Sequence, residues 1–469
     1  MKYFTILFWA LFAMVPQSTV VQGADANTTS VQSAQAAANG MYMVKDFGAK
    51  GDGVTKDTAA IQKAVDACTA AGGGTVCLTP GTYLSGSIYL KNNVDFYLQQ
   101  GAMILGSPDG NDYNPADVCP QNTASKLEVT SGKHLILCIE QKNVTVRGPG
   151  KINGNCRNCT VLILDKNGKK LPGHAGLKWR PAQMLYFVES ENITLKDIEL
   201  VDSPYWSCFI HGCTQVQIQG VRISTRRGET HNGDGIDIDC CQNVTVSHCR
   251  FHTSDDSLTL RANAKRLKHP QECRNITVTN CVLSSGQACI RVGVGNGKIH
   301  DAVFSNLVFE ESNMGICLCP GWGKDGTDIR NIRFDNIAFQ CARPFMLFFY
   351  CETPAKIEDI YFSNISGQCT GLSMFLGTPK NKVNNIHFSN IEMYHNAIRG
   401  KAPFEAFRID GLTMENFRIH DVTKGKSDQP GTIRLGAVTN FVSERCQFTP
   451  VTMSEQEQTE RDTRRPTGY

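Results

Sequence analysis

Proline is scarce, with 18 residues in 469, and neither charge sign dominates: Lys+Arg 47 stand against Asp+Glu 44. So even a balance gives no support for a general nucleic-acid binder, although a local basic cleft would not show in the sum. Charged residues make up 19% and hydrophobic residues 41%, which excludes wholesale disorder and a collagen-like chain. After the first residues no apolar run reaches the roughly 20 residues a membrane span needs. No pair of CxxC motifs occurs; Cys156-Arg-Asn-Cys159 stands alone, which is little for zinc. Heptads, helical repeats and WD-type blades are missing too, so helical solenoids and propellers drop out.

Cysteine, in contrast, is plentiful at 20 residues. Three readings stand: disulfides in an exported chain, small core residues, or metal ligands. Cys68 with Cys77 and Cys156 with Cys159 are the pairs closest in sequence, while Cys249, Cys281 and Cys289 sit in apolar runs. Met1-Lys2 followed by the apolar run Tyr3–Pro16 predicts a signal peptide over residues 1–23, cut after Gly23. An uncleaved anchor is the alternative. A secreted or periplasmic protein follows from the signal-peptide reading, with no membrane contact after cleavage. The first cysteine is Cys68, which argues against a lipoprotein.

One phrase recurs: Asn or Asp, an alternating apolar–polar run, a small break, then another run. Copies begin at Asn143, Asn192, Asn243, Asn275, Asn331, Asp359, Asn385 and Gly411. Alternation predicts strands with one buried face, and a fixed period predicts stacked units sharing a core. The fold class expected is all-β: a single-stranded right-handed parallel β-helix over residues 42–450. Residues 24–41 form a linker and 451–469 a flexible tail. Asp57–Ala70 has helical spacing, with Ala60, Ile61, Ala64, Val65 and Cys68 on one face and Asp57 as N-cap, and predicts a short helix capping the stack. Asn-x-Thr at Asn143, Asn192, Asn243 and Asn275 falls at one point of the coil, so a polar strand start explains it as well as glycosylation does.

The densest polar chemistry is His231–Arg261. Asp234 lies about one short coil before Asp255 and Asp256, and stacked parallel strands are about 4.8 Å apart. Carboxylates sharing a cleft raise one another's proton affinity, which suits an acid and a base for glycoside hydrolysis. Asp255 and Asp256 share a face only if the chain bends between strands. Turn residues between coils are the other reading of Asp234 and Asp255. Asp237 and Asp239, on one face around Ile238, read as structural.

Several motifs together resemble glycoside hydrolase family 28, the polygalacturonase family within the pectin-lyase-like β-helix group. They are Phe47-Gly-Ala-Lys-Gly-Asp-Gly53, Ser203-Pro-Tyr-Trp206, Asn232-Gly-Asp-Gly235 and Asp255-Asp256. The resemblance implies an inverting hydrolase of a pectic or related acidic polysaccharide. Asp255 would be the general acid, and Asp234 and Asp256 would activate water. No metal or organic cofactor and no partner beyond the polysaccharide is implied, and the chain is expected to be a monomer. Gly233 stands where the family has Thr, and Gln287 where it has a His. Cys317 and Cys319 stand where an Arg and a Lys would hold a galacturonate carboxylate. Plain polygalacturonate is therefore not the expected substrate. Arg261 and Arg291, on neighbouring coils, are candidate replacement cations, and Asn232, Gln287 and His252 are candidate substrate-binding residues beside His231. The segment Asn153–Gly176 is a candidate wall of the groove. A lyase using Ca²⁺ held by the three aspartates, and a non-catalytic sugar-binding β-helix, are the rival readings.

Overall fold

The structure is a computed structural model that describes residues 40–115, 131–169, 171, 177–321, 325–396, 402–423 and 429–463. The expected signal peptide lies outside the described residues, as does the linker except for Gly40 and Met41, which opens the first strand. Thirty-three strands join one continuous, almost wholly parallel sheet that winds as a right-handed β-helix. Successive coils stack in exact register. Ile193, Val216, Val244, Ile276, Ala302, Ile332, Ile360, Ile386 and Leu412 follow one another down a single inward column. β-Branched residues suit such a column because they pack well on a pleated surface.

The repeat's first residue has a conformational task. Asn143, Asn192, Asn243, Asn275, Asn331, Asp359, Asn385 and Gly411 all have positive φ, between 49° and 78°. Asn, Asp and Gly enter that left-handed region most easily, so each can turn the corner that starts the next strand. The amides also form a ladder: Asn192 Nδ2 donates to Asn143 Oδ1 at 2.8 Å, and Asn275 Nδ2 to Asn243 Oδ1 at 3.0 Å. A second ladder at the next corner runs through Asn364, Asn390 and Asn416, at 3.0 and 2.9 Å. Inside, the rings of Phe304, Phe334, Phe362 and Phe388 stack with centroids 5.0, 5.1 and 4.7 Å apart.

The N-terminal end is capped as expected by the helix Thr58–Ala70, which buries Ile61, Ala64, Val65 and Cys68. Asp57 occupies the N-cap position, but its carboxylate does not cap the helix. It turns back to accept from the Lys50 and Gly51 amides at 2.7 and 2.9 Å, fastening the preceding loop. The C-terminal end corrects the expectation of a loose tail. Strand Thr449–Thr452 pairs with Thr432–Leu435, and a helix follows over Glu455–Thr463. That helix begins with a capping box: the Glu457 amide donates to Ser454 Oγ and the Ser454 amide to Glu457 Oε2. Arg434 also pairs with Glu457.

Every cysteine among the described residues is free, so neither the Cys68–Cys77 nor the Cys156–Cys159 disulfide is formed. Nearly all are buried, as expected of small core residues.

The aromatic column sets a stability prediction. Phe334 is fully buried between two stacked rings. Phe334→Ala should lower the unfolding free energy by about 3–5 kcal/mol, read as a shifted guanidinium midpoint at unchanged slope.

Candidate active site

The three aspartates meet at a corner. Between the strands Arg250–Thr253 and Leu258–Ala262, residues 254–257 leave the strand conformation. Alternation stops there, and Asp255 and Asp256 reach one cleft. Asp234 precedes the strand Ile236–Asp239 on the coil before. One carboxylate oxygen from each of Asp234, Asp255 and Asp256 lies within 4.8 Å of the other two. Asp234 and Asp256 are buried and Asp255 is half-buried, so Asp255 is the most solvent-facing of the three.

Thr225 staples the two aspartate loops. Its hydroxyl donates to the Gly233 carbonyl at 3.0 Å and accepts from the Ser254 amide at 2.7 Å. Ser254 also explains why Gly stands at 233: a Cβ there would lie 2.2 Å from Ser254 Oγ and 3.1 Å from Thr225 Cβ. Arg180, wholly buried, fixes the other side. It donates to the Pro204 carbonyl at 3.1 Å, to the His231 carbonyl and to Asn232 Oδ1 at 3.0 Å, with its guanidinium 4.5 Å from the Tyr205 ring. The Ser203–Trp206 and Asn232–Gly235 motifs are thereby tied together. No motif in the sequence pointed to Thr225 or Arg180; both act across more than a coil.

Each carboxylate meets a different environment. Asp256 accepts from the Ala288 amide at 3.0 Å and from Arg291 Nη1 at 2.7 Å. Asp234 Oδ1 has no hydrogen-bond partner among the described residues. Burial, then the charges of Asp255, Asp237 and Asp256, push its carboxyl well above the usual range. Asp239 behaves as a structural residue, accepting from the Asn263 amide and side chain at 2.7 and 2.5 Å. Asp237 departs from that expectation. It lies buried on the cleft side, accepts from Arg261 Nη1 at 3.1 Å, and is pushed up to about 7 by burial against the pull of Arg261.

Arg261 and Arg291 are both brought to the cleft, Arg261 with its guanidinium 4.4 Å from the Trp206 ring. Each is engaged by an aspartate, Asp237 or Asp256. Arg291 stands in register with Thr259 before it and Cys317 after it. Cys317 and Cys319 are buried in an apolar cluster with Ala288, Met314, Met346 and Phe348, beside Arg291 and Asp256. Gln287 accepts from Asn313 Nδ2 at 3.2 Å, and Asn313 in turn from Arg343 at 2.8 Å. His252 is not drawn to the trio. It is exposed on the preceding strand, and its charged neighbours are Arg227, Glu310, Glu311 and Arg250. The Asn153–Gly176 segment carries the helix Cys156–Cys159 and the strand Val161–Leu162, paired with Leu177–Trp179; residues 170 and 172–176 lie outside the described residues. Arg157 ties it to Glu229, near the loop that carries Asn232, at 2.7 Å.

Residues 118–398 match the family described as Glycosyl hydrolases family 28, and residues 41–110 match Rhamnogalacturonase A/epimerase, pectate lyase-like. An exo-poly-α-D-galacturonosidase of Dickeya chrysanthemi is 24% identical, over 87% of this chain and 75% of that protein. A family 28 exopolygalacturonase of Yersinia enterocolitica shares the fold with a TM-score of 0.68 at 21% identity, over 88% of this chain and 79% of its own. The hyperthermoactive exopolygalacturonase of Thermotoga maritima gives 0.63 at 18%, over 87% and 92%.

Asp237 yields a pH prediction. Its folded-state proton affinity is raised from 3.8 to about 7. Its contribution to stability is therefore complete below the unfolded value and is lost as the pH rises through about 7. Asp237→Asn does not titrate, so melting temperatures should shift in the variant's favour between acid and pH 8. A difference that stays flat or reverses would mean that Arg261 keeps Asp237 ionised throughout.

Proposed function

The chain belongs to glycosyl hydrolases family 28 and is a glycoside hydrolase, and from that premise we propose that it cleaves a pectic polysaccharide at the Asp234–Asp255–Asp256 corner. The observation that carries this reading is the meeting of three carboxylates from two coils at one bend. Asp255, facing outward, is the general acid that protonates the leaving oxygen. Asp234 and Asp256, behind it, hold and activate the water.

The substrate is a pectic chain whose sugar at the cleavage point is neutral, such as a rhamnogalacturonan, rather than plain polygalacturonate. The relatives' names support a pectic polymer. Against an acidic sugar stand Cys317 and Cys319, which offer no fork to a carboxylate. Arg261 and Arg291 are each already paired with a buried aspartate, Asp237 or Asp256. Residues 153–169 wall one side of the groove. The chain acts as an exported monomer with no metal or organic cofactor, with residues 1–23 as its leader and 42–450 as its catalytic unit.

Inversion follows from the family resemblance. Proton NMR of the first product formed decides between the two anomers.

Reducing-sugar release from rhamnogalacturonan should exceed release from polygalacturonate. Asp255→Asn should lower it about 10²–10⁴-fold with the melting temperature kept. Activity should persist in EDTA; loss in chelator together with an ultraviolet-absorbing product would establish the calcium-dependent lyase instead.

A further inference from the structure

A second groove lies outside the aspartate corner. It follows the inside of the bend where several coils leave one strand row for the next, and has a volume of about 580 Å³. That falls in the range of small-molecule and oligomer sites. Its floor is shallow-cut because Ser312, Cys341 and Cys369 are small and buried. Its rim is polar: Glu311, Gln340, Gln368, Tyr394 and Asn396 are all exposed.

The rim is ordered by the coil register. Gln340 pairs with Gln368, and Gln368 with Tyr394, on successive strands. The Tyr394 ring stacks on His420 of the next coil, centroids 4.7 Å apart, so its faces look along the stack and its edge and hydroxyl look outward. The result is a row of amides and a phenol repeating at about 4.8 Å. Each can donate and accept hydrogen bonds. From Ser312 to Val422 the groove spans four coil steps, roughly 19 Å at that spacing. Among the described residues no Lys, Arg or His lines it, and the one charged lining residue is Glu311.

We propose that this groove binds a neutral, hydroxyl-rich side chain carried by the same polysaccharide. A row repeated at coil spacing fits a linear polymer rather than a compact ligand. The carboxylate of Glu311, with no lining cation, selects against a polyuronate stretch. The groove joins the corner through one short relay: the Ser285 amide donates to Ser312 Oγ at 3.0 Å, while Ser285 Oγ donates to the Asp255 carbonyl at 2.6 Å. Only the identity of this occupant rests on the hydrolase reading; the groove's preference for neutral glycan does not.

Affinity electrophoresis of the full chain carrying Asp255→Asn, through gels containing β-1,4-galactan, arabinan or polygalacturonate, tests this without turnover. Retardation by at least one of the first two, and weaker retardation by polygalacturonate, is expected. Adding Gln368→Ala or Tyr394→Phe should weaken that binding about tenfold, and Thr370→Trp, which fills the groove from its edge, should abolish it at an unchanged melting temperature. In the active chain the groove variants should raise KM on the polymer and leave cleavage of a short oligosaccharide unaltered. Retardation unchanged in all three groove variants, retardation by polygalacturonate alone, or none by any polymer would overturn the proposal. Capture of a protein without glycan binding would also overturn it. Failure of hydrolysis alone would leave the electrophoretic result standing.

Discussion

Coil-to-coil register is the constraint from which the rest of this molecule follows. Parallel strands stacked at about 4.8 Å place residue above residue, and a slip of one position would exchange the inward and outward faces. The register is pinned at the corners, where residues such as Asn243 and Asn275 take a left-handed conformation and hold one another by their side-chain amides. The inward column then becomes continuous, and the phenylalanine rings stack because their Cα atoms already do. The N-terminal open end is closed by the helix Thr58–Ala70, which covers the strand edges there.

The same register builds the aspartate corner. Asp234 and Asp256 come from neighbouring coils, and the hydrogen-bonded stacking of those coils leaves their carboxylates a few ångströms apart. Burying this much negative charge is costly, and the fold offsets it in two ways. Asp256 and Asp237 are given arginines, and Asp234 is pushed toward its neutral form. The compensation has a chemical side effect: the cationic side chains nearest the corner are occupied by the protein's own acids.

Much of this was legible in the sequence because it is local or periodic. The repeated Asn marks the corner by its own conformational preference, and Asn232–Gly235 with Asp255-Asp256 marks the site at a spacing of one coil. What escaped is what acts across coils. Arg180 reaches Asn232 over 52 residues, and Thr225 reaches Ser254 over 29, from segments that carry no pattern. Asp57 has an N-cap's identity and position, but a competing loop with two bare amides takes its carboxylate. The C-terminal helix was hidden by composition: a run rich in charge looks disordered until Ser454 and Glu457 are seen as a capping box. His252 misled in the opposite sense, since proximity in sequence to Asp255 does not carry it around the bend.

The amide ladder also bears on how the folded surface can be decorated. Asn192 and Asn275 sit in Asn-x-Thr triplets, but each side-chain nitrogen already donates to the asparagine one coil below. A glycan attached to that nitrogen would take one of its two protons and crowd the contact that fastens two coils together. Once the stack has closed, these triplets are chemically masked, and any sugar added there would have to arrive before folding and would loosen the corner it occupied.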